Sequence, residues 1–487
     1  MANVLSGLKP QLVWEIFENI LSHPHPSKKE EKLAAYILNF AAERSLETKR
    51  DKSGNIVIRK PATAGMENRK PVVIQGHIDM VCEKNSDVEF DFDNDPIQPW
   101  IDGDWVRAKG TTLGADNGIG VAMGMALLAS HDIPHPGLEL LCTLDEETGL
   151  TGAIQLETGM LNAEVLINLD SEEDGAFTIG CAGGQNTAAS FKYQGAPIPA
   201  DSVAFEIVLK GLKGGHSGIE IHDGRGNALK LMNRLLWDLT HKYNIRLSSF
   251  FGGNKHNAIP RECFATIVVA KAAESDVLDY INKYSEIMTS EWISKEPNIL
   301  ISSKATTMPA RIMDVDFQKR FLNSMYSAPH GVIRMSPDIP GLVQTSTNLA
   351  ILETRSDDMY VLTSQRSSVE TEKYDIANMV RSCFELGGAE VTFGEGYPGW
   401  QPNVNSPILK VAINVFKDMY GKEPKIEAIH AGLECGLVGE KYPGMDMLSF
   451  GPNLKDVHSP DEKIQISTVD KCWNLLLSIL LNIPERA

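Results

Sequence analysis

Five short segments of the chain carry acidic or histidine side chains of the kind that bind divalent metal ions. Each segment follows an apolar run or adjoins glycine or proline, where a strand is expected to give way to a loop. An open α/β sheet presents its ligands at such places, just outside the carboxyl ends of its strands. The candidate metal ligands are, in chain order, His77, Asp116, Glu147, Asp170 and His458. Together they predict a site for two cations, whose chemistry is the attack of an activated water on a carbonyl carbon.

The five ligands divide evenly between two cations if one carboxylate is shared. With Asp116 shared, one cation takes His77 and Asp170, and the other takes Glu147 and His458. Each cation then has three protein ligands and keeps a position for water, the open coordination of catalytic zinc sites. Asp116 by itself is also explained as an N-cap residue, because it precedes a glycine-flanked helix start.

Two further acids, Asp79 and Glu146, lie beside these ligands. His77 and Asp79 are two residues apart at a strand end, so their side chains leave on the same face. A carboxylate in that position can hold the second ring nitrogen of a metal-binding histidine. Glu146 and Glu147 follow an apolar run and would repel each other if both were desolvated. A cation bound to Glu147 removes the conflict and leaves Glu146 to act as a general base.

Composition describes a globular chain of two or three domains. Of its 487 residues 43% are hydrophobic and 23% are charged, and the net charge is −18. This charge, without any basic block, argues against nucleic acid or an anionic membrane as a partner. The seven cysteines are scattered without a C-x-x-C pair, which favours reduced thiols. No signal-peptide pattern or long apolar span is evident, so we expect a cytoplasmic protein.

The N-terminal part has the pattern of an α/β fold. Residues 11–22 and 32–43 have helical spacing, and Ser27 with Glu30 predicts a capping box before the second helix. Apolar runs predicted as strands, several of them separated by helical patterns, occupy residues 55–60, 71–78, 138–144 and 163–169. This alternation predicts a mostly parallel sheet with helices on both faces.

The pattern changes near residue 188, after a glycine-rich CAGGQ segment. Residues 188–397 combine alternating strands with amphipathic helices and predict an inserted α+β domain. Residues 398–487 return to the α/β pattern and carry His458. We therefore expect a discontinuous catalytic domain made of residues 1–187 and 398–487.

The order of the motifs resembles that of the M20 metallopeptidases. It runs H-x-D, G-A-D-N-G, T-x-x-E-E-x-G, N-x-D-S-E and H-S-P-D-E. Longer segments are similar to the aminoacyl-histidine dipeptidase group of that family, namely GTTLGADNGIG, GLKGGHSG, NAIPRE, YPGWQP and IHAGLECG. The resemblance implies a di-zinc catalytic domain interrupted by a smaller lid domain.

The resemblance also implies functional residues. By position, Glu146 would be the proton acceptor, and Asp79 the carboxylate that supports His77. His216 of GGHSG resembles a histidine that helps to stabilise the oxyanion, in some relatives from the partner subunit. Asn257 and Arg366 resemble residues that hold the substrate's terminal carboxylate, a task that suits a planar guanidinium.

Four residues of the inserted domain and its surroundings are less defined by the resemblance. Many relatives have a GGTDA-like segment where this chain has HAGLE, which makes His430 and Gly432 candidate substrate-binding residues and leaves the exact role of His430 open. Glu220 and His222 accompany His216 in one segment without an assigned role.

The resemblance implies a dipeptidase that hydrolyses Xaa-His and related unblocked dipeptides, such as carnosine. A water shared by two divalent ions would attack the peptide carbonyl. Zinc is the expected ion, with cobalt or manganese as substitutes, and a homodimer is the expected assembly. One alternative is an N-acyl amino acid deacylase with the same di-metal site. Another is a catalytically silent metal-binding scaffold, which the presence of Glu146 disfavours.

Overall fold

The computed structural model describes residues 4–486, which form two compact units. The first unit extends to Gly180 and continues over Pro402–Ala428 and from Leu433 onwards; the second comprises Cys181–Gln401 and Ile429–Gly432. The sequence placed the changes after residues 187 and 397 instead. A boundary at 187 would cut through the strand Gly183–Lys192, which is paired along its whole length with Asp358–Ser367.

Helices and strands follow one another along both units. The helices are α1 (Gln11–Leu21), α2 (Glu31–Glu43), α3 (Ala115–Ala129), α4 (Glu146–Gly149), α5 (Thr151–Gln155), α6 (Ala228–Tyr243), α7 (Glu274–Trp292), α8 (Val315–Ser327), α9 (Glu370–Leu386), α10 (Pro407–Tyr420), α11 (Glu434–Lys441) and α12 (Ile466–Leu481). The strands are β1 (Glu47–Arg50), β2 (Ile56–Lys60), β3 (Val72–His77), β4 (Pro99–Asp102), β5 (Trp105–Ala108), β6 (Leu138–Thr143), β7 (Val165–Asn168), β8 (Ala176–Cys181), β9 (Gly183–Lys192), β10 (Gly195–Ala196), β11 (Ser202–Lys210), β12 (Gly215–His216), β13 (Arg246–Gly252), β14 (Ala258–Ile259), β15 (Cys263–Ala270), β16 (Leu300–Ala305), β17 (Ile312–Met313), β18 (Gly331–Met335), β19 (Val343–Thr354), β20 (Asp358–Ser367), β21 (Glu390–Phe393), β22 (Lys425–Ile429), β23 (Asp446–Ser449), β24 (Leu454–Lys455) and β25 (Lys463–Gln465).

The main sheet of the first unit has the strand order β1-β2-β6-β3-β7-β23-β8-β22. Its centre, β6-β3-β7-β23, is parallel, whereas the pairs β1-β2, β2-β6 and β23-β8 are antiparallel, so the sheet is mixed. β1 and β2 are antiparallel because a short hairpin joins them, whereas a parallel pair needs a longer crossover. Every residue of β3, β6 and β7 is buried, as in a parallel sheet covered on both faces.

The expected capping box before α2 is wrong. Glu30 itself is the N-cap residue, and no side chain caps this helix. The Ser27 hydroxyl donates instead to a carboxylate oxygen of Asp79, at 2.7 Å. The Glu30 carboxylate accepts the backbone N–H groups of Lys28 and Asp145. Both side chains therefore connect the start of α2 to loops at the sheet end, which a local sequence pattern does not reveal.

The second unit is built on an antiparallel sheet. Its strand order is β16-β11-β15-β13-β19-β20-β9-β21, with β18 paired to β19. Buried and partly exposed residues alternate along β11 and β15, as expected for a sheet covered on one face. One apolar core contains residues of this sheet and of α6, α7, α8 and α9, including the mutually packed rings of Phe191, Phe321 and Phe384.

Among residues 4–486, no helix combines the length and the apolar character needed to cross a membrane.

Candidate active site

The parallel centre of the first unit's sheet brings the predicted metal ligands together. His77 is the last residue of β3, Asp170 lies two residues after β7, and Glu147 is in α4, shortly after β6. Asp116 lies in the first turn of α3, and His458 follows β24. Because parallel strands present their carboxyl ends at one edge, ligands from β3, β6 and β7 meet there.

The two oxygens of Asp116 face different histidines. Asp116 Oδ1 is 3.2 Å from Nε2 of His77, and Asp116 Oδ2 is 3.3 Å from Nε2 of His458. His77 Nε2 is also 3.5 Å from Asp170 Oδ1, and His458 Nε2 is 2.9 Å from Glu147 Oε1. The side chains thus form two triads that share Asp116, the division that the sequence predicted.

The residues of both triads fit divalent cations. In each triad, one candidate donor atom per residue lies within 4.8 Å of the others. Asp170 Oδ1 is buried and has no hydrogen-bond partner, which is unfavourable for a carboxylate unless a cation binds it. Imidazole and carboxylate donors suit zinc, and they also suit cobalt and manganese.

The electrostatic interactions among the predicted ligands and Glu146 also favour the binding of cations. Burial lowers the pKa of His77, but Asp170, Asp116 and Asp79 together raise it well above its usual value. Burial raises the pKa of Asp170 to about 7, and neighbouring carboxylates add to this rise. Burial likewise raises the pKa of Glu146 well above that of a free glutamate. Such crowding of acids is relieved by cations.

Asp116 does not act as an N-cap residue. The N-cap position of α3 is Gly114, and no side chain of this segment caps the helix. The backbone of Asp116 and Asn117 is not helical, and the peptide bond between them is cis. The N-cap alternative is therefore wrong, and the Asp116 carboxylate is turned towards the two histidines.

Asp79 supports both His77 and the start of α4. Its Oδ1 is 3.3 Å from His77 Nδ1, the ring nitrogen that faces away from Asp116. Its carboxylate also accepts the backbone N–H groups of Glu146 at 2.9 Å and Glu147 at 3.2 Å. Burial raises the pKa of Asp79, but the hydrogen bonds from His77, Glu146 and Ser27 lower it to about 2. One ionised carboxylate thus orients an imidazole and the two neighbouring glutamates.

Glu462 is a supporting residue that the sequence reasoning missed. It is 2% exposed, and its carboxylate accepts the backbone N–H groups of Leu113 (2.7 Å), Gly114 (3.0 Å), Ala115 (2.8 Å) and Asp116 (3.3 Å). A carboxylate at a helix start is favoured by the free N–H groups and the helix dipole. Glu462 is the last residue of the motif H-S-P-D-E, whose histidine is the predicted ligand His458.

Glu434 is a second buried acid that the sequence left without a role. Its Oε2 accepts hydrogen bonds from Gln75 Nε2 at 2.6 Å and Thr143 Oγ1 at 2.8 Å. Gln75 in turn accepts from Asn168, which accepts from Ser449. These polar side chains run across β6, β3, β7 and β23, beneath the strand ends that lead to the ligands. Burial raises the pKa of Glu434 to about 7.

The second unit contains the other predicted site residues. His216 ends β12, which pairs with β14, and the carbonyl of Asn257 accepts the N–H of Ser217 at 2.8 Å. Nδ1 of His216 accepts the backbone N–H groups of Gly218 (3.2 Å) and Ile219 (3.0 Å). A neutral ring held in this way carries its proton on Nε2.

Glu220 and His222 have defined surroundings. Glu220 accepts the backbone N–H of His216 at 2.6 Å and pairs with Arg225. It therefore stabilises the turn that carries His216. The side chain of His222 is half exposed and is 3.8 Å from Asp223.

Arg366 and His430 lie close to His216. A Cβ added to Gly218 would lie 2.9 Å from Cε1 of His216, 3.2 Å from Nε of Arg366 and 2.3 Å from the carbonyl oxygen of His430. His430 Nε2 is 2.7 Å from the Ser346 hydroxyl. Burial, and then the charge of Arg366, lowers the pKa of His430 to about 3. Gly432 lies against the ring of Tyr397.

Comparison with known proteins identifies the family. Residues 73–482 match the model of peptidase family M20/M25/M40. The chain is 46% identical over 483 residues to the cytosol non-specific dipeptidase of Escherichia coli K12, covering 99% of both chains. It resembles the crystal structure of aminoacylhistidine dipeptidase from Vibrio alginolyticus with a TM-score of 0.94 and 46% identity, over 99% of both chains.

A more distant similarity concerns the fold alone. The structure of aminopeptidase PepT from Bacillus cereus has a TM-score of 0.57 and 14% identity, and the match covers 98% of this chain and 99% of that one. The family match and the identity over almost the whole chain confirm the resemblance indicated by the motifs. The chain belongs to peptidase family M20/M25/M40.

Proposed function

We propose that the chain is a metal-dependent dipeptidase that hydrolyses Xaa-His and related unblocked dipeptides. The observation that carries the proposal is the position of Asp116, whose two oxygens face the histidines of the two triads that share it, with the partly buried Glu146 near His77. The 46% identity to a non-specific dipeptidase and to an aminoacylhistidine dipeptidase supports this class of substrate.

Two divalent cations are the proposed cofactors. His77, Asp116 and Asp170 would hold one, and Asp116, Glu147 and His458 would hold the other. Zinc fits the mixed imidazole and carboxylate ligands, and cobalt or manganese can replace it. When bound, the cations supply Lewis-acid activation of water and of the peptide carbonyl.

Glu146 is the proposed general base. Its backbone N–H is held by Asp79, so the first residue of α4 has a defined position. Burial raises the pKa of its carboxyl well above 4.5, closer to the pH at which a base is most effective. In this mechanism Glu146 takes a proton from the attacking water and delivers it to the amine that leaves.

His216, Asn257, Arg366 and His430 are the proposed substrate-binding residues of the second unit, which we propose to be the lid domain. The Nε2–H of His216, set by hydrogen bonds to Nδ1, is suited to donate to the oxyanion. Asn257 and the buried guanidinium of Arg366 would hold the terminal carboxylate of the dipeptide. The neutral His430 lies beside Arg366 without adding a second charge.

A substrate panel tests the proposal. Purified enzyme loaded with zinc should hydrolyse Xaa-His and other free dipeptides with kcat/KM values at least tenfold above those for N-acetyl amino acids. The opposite order would identify an N-acyl amino acid deacylase with the same metal site. Turnover of neither class, with two ions bound, would leave the silent scaffold as the function.

We further propose that the enzyme acts in the cytosol as a homodimer. The cytosolic relative, at 46% identity over 99% of both chains, supports the location. Light scattering on the purified protein measures the assembly. Mixing a His216→Ala chain with a Glu146→Gln chain then shows whether His216 serves its own site or that of a partner subunit, because activity returns only in the second case.

A further inference from the structure

We infer that Tyr397 is a positioning residue that presents the guanidinium of Arg366 to the substrate's carboxylate, and that Gly184 and Gly432 make room for its ring. The inference rests on the proposed function, in which Arg366 binds that carboxylate. It gives Gly432 a different role from the direct substrate contact expected from the sequence.

The buried guanidinium of Arg366 has no carboxylate partner among the described residues, as expected of a group that binds an anionic ligand. It is 7% exposed, and within residues 4–486 it forms no ion pair with a carboxylate. Its Nε–H is buried and has no hydrogen-bond partner. A buried, unneutralised guanidinium is unfavourable by itself, and a bound carboxylate would correct this.

Tyr397 provides a neutral contact that fixes the guanidinium plane. Arg366 Nη1 donates to the Tyr397 hydroxyl at 2.9 Å. This bond uses Nη1 of the guanidinium. The edge formed by Nε and Nη2 remains for a planar, bidentate contact with a carboxylate. A carboxylate in place of the phenol would orient Arg366 equally well but would neutralise its charge. The phenol therefore positions the cation and keeps its charge for the ligand.

Tyr397 is itself held in place from several sides. Its backbone N–H donates to the carbonyl of Gly184, and its own carbonyl accepts the N–H of Gly184, each at 3.0 Å. The buried Lys373 ammonium donates to the same Tyr397 carbonyl at 2.9 Å. Gly184 is the register partner of Arg366 between β9 and β20, so the tyrosine is attached next to the residue it contacts.

The ring of Tyr397 lies between two glycines. A Cβ at Gly184 would be 2.5 Å from its Cε1, and a Cβ at Gly432 would be 2.9 Å from its Cε2. Either side chain would displace the ring unless the backbone moved. Gly432 therefore contributes through the space that it leaves for the phenol.

The test compares a dipeptide that has a free C-terminus with its C-terminal amide. In the wild type the free dipeptide should be strongly preferred, because only it offers a carboxylate to Arg366. Tyr397→Phe should raise KM for the free dipeptide about tenfold or more, the range for a lost hydrogen bond to a charged group, with kcat within about twofold. Its activity on the amide should stay within about twofold of the wild-type value.

A double-mutant cycle shows whether Tyr397 acts through Arg366. Arg366→Ala should abolish the preference for the free dipeptide, and adding Tyr397→Phe should cause no further loss. Tyr284→Phe is the matched control, because it removes a buried hydroxyl that donates to the carbonyl of Leu231 within the same unit. This control should keep the wild-type preference.

Gly432→Ala is a second variant, which retains the Tyr397 hydroxyl but places a methyl group in steric conflict with the Tyr397 ring. It should reduce the preference for the free dipeptide as Tyr397→Phe does, and it allows the test even if one variant folds poorly. The inference would be overturned if KM for the free dipeptide were unchanged in both Tyr397→Phe and Gly432→Ala. It would also be overturned if the fold-change in the double variant equalled the product of the fold-changes in Tyr397→Phe and Arg366→Ala. A preference that survives Arg366→Ala would instead refute the carboxylate assignment in the proposed function.

Discussion

The carboxylate of Glu462 accepts the backbone N–H of Asp116, together with the three N–H groups that precede it. Glu462 lies four residues after His458, and Asp116 is 3.3 Å from that histidine. The loop that carries one proposed ligand is thereby attached to the backbone of another. Two segments far apart in sequence share a single buried anchor.

Glu462→Gln should weaken metal binding without removing any ligand. The amide matches the carboxylate in shape, but its NH₂ group cannot accept a hydrogen bond, and the negative charge at the helix start is lost. We expect lower affinity for the ion at Asp116, Glu147 and His458, measured by competition with a chromogenic chelator. The free energy of unfolding should fall by about 1–3 kcal/mol.

Asp461→Asn is the control for that experiment, because the Asp461 side chain is adjacent in sequence but 80% exposed. It should retain wild-type affinity and stability. Equal behaviour of the two variants would show that Glu462 is not an anchor.

Glu146→Gln should retain two ions but lose nearly all turnover. The proposed ligands remain, whereas the amide cannot accept the proton of the attacking water, so kcat should fall about 10²–10⁴-fold or more. Metal content by elemental analysis and hydrolysis of carnosine measure the two effects. Glu43→Gln, at a side chain that is 76% exposed, is the matched control and should not change either quantity. Wild-type turnover in Glu146→Gln would disprove the base assignment.

Metal removal should abolish activity, and zinc, cobalt or manganese should restore it. Full activity after exhaustive treatment with a chelator would rule out the two-cation mechanism.

Asp116 and His458 should differ in the number of ions that depend on them. His458→Ala removes one ligand of one triad, so binding of one ion should weaken while the other is retained. Asp116→Ala removes a ligand common to both triads and should weaken both. Calorimetric titration of the metal-free variants with zinc gives the stoichiometry. Loss of a single ion in Asp116→Ala would contradict a shared carboxylate.

His430 should make the protein less stable towards acid. Its pKa in the folded chain is about 3, and that of a histidine in the unfolded chain is about 6.5. Between these values the unfolded state binds more protons, so the free energy of unfolding falls as the pH falls, by up to about 1.4 kcal/mol per pH unit for one group. The loss of stability therefore begins near pH 6.5 and continues down to about pH 3.

His430→Asn should reduce this slope, because asparagine does not titrate there. Urea unfolding of metal-free protein at pH 7.5, 6 and 5 measures the slope and keeps ion loss out of the comparison. Identical slopes for the variant and the wild type would show that the pKa of His430 is the same in the folded and the unfolded chain.

The sequence by itself determined the chemistry of this protein. Apolar runs of strand length predicted β2, β3, β6 and β7, because strands that are buried over most or all of their length are rich in apolar residues. Acids and histidines near the ends of such runs predicted the ligand set, since the carboxyl ends of parallel strands meet at one edge. Motif order was sufficient to indicate the family.

Only the tertiary structure decided which groups support that chemistry. Ser27 and Glu30 have the spacing of a capping box, yet they bond to Asp79 and to the backbone of Asp145. Glu462 reaches Leu113–Asp116, and Tyr397 reaches Arg366, through contacts between residues distant in the chain. Hydrogen bonds of this kind depend on which loops come into contact after folding. A local pattern of residue types does not contain the spatial distance between residues that are far apart in the chain.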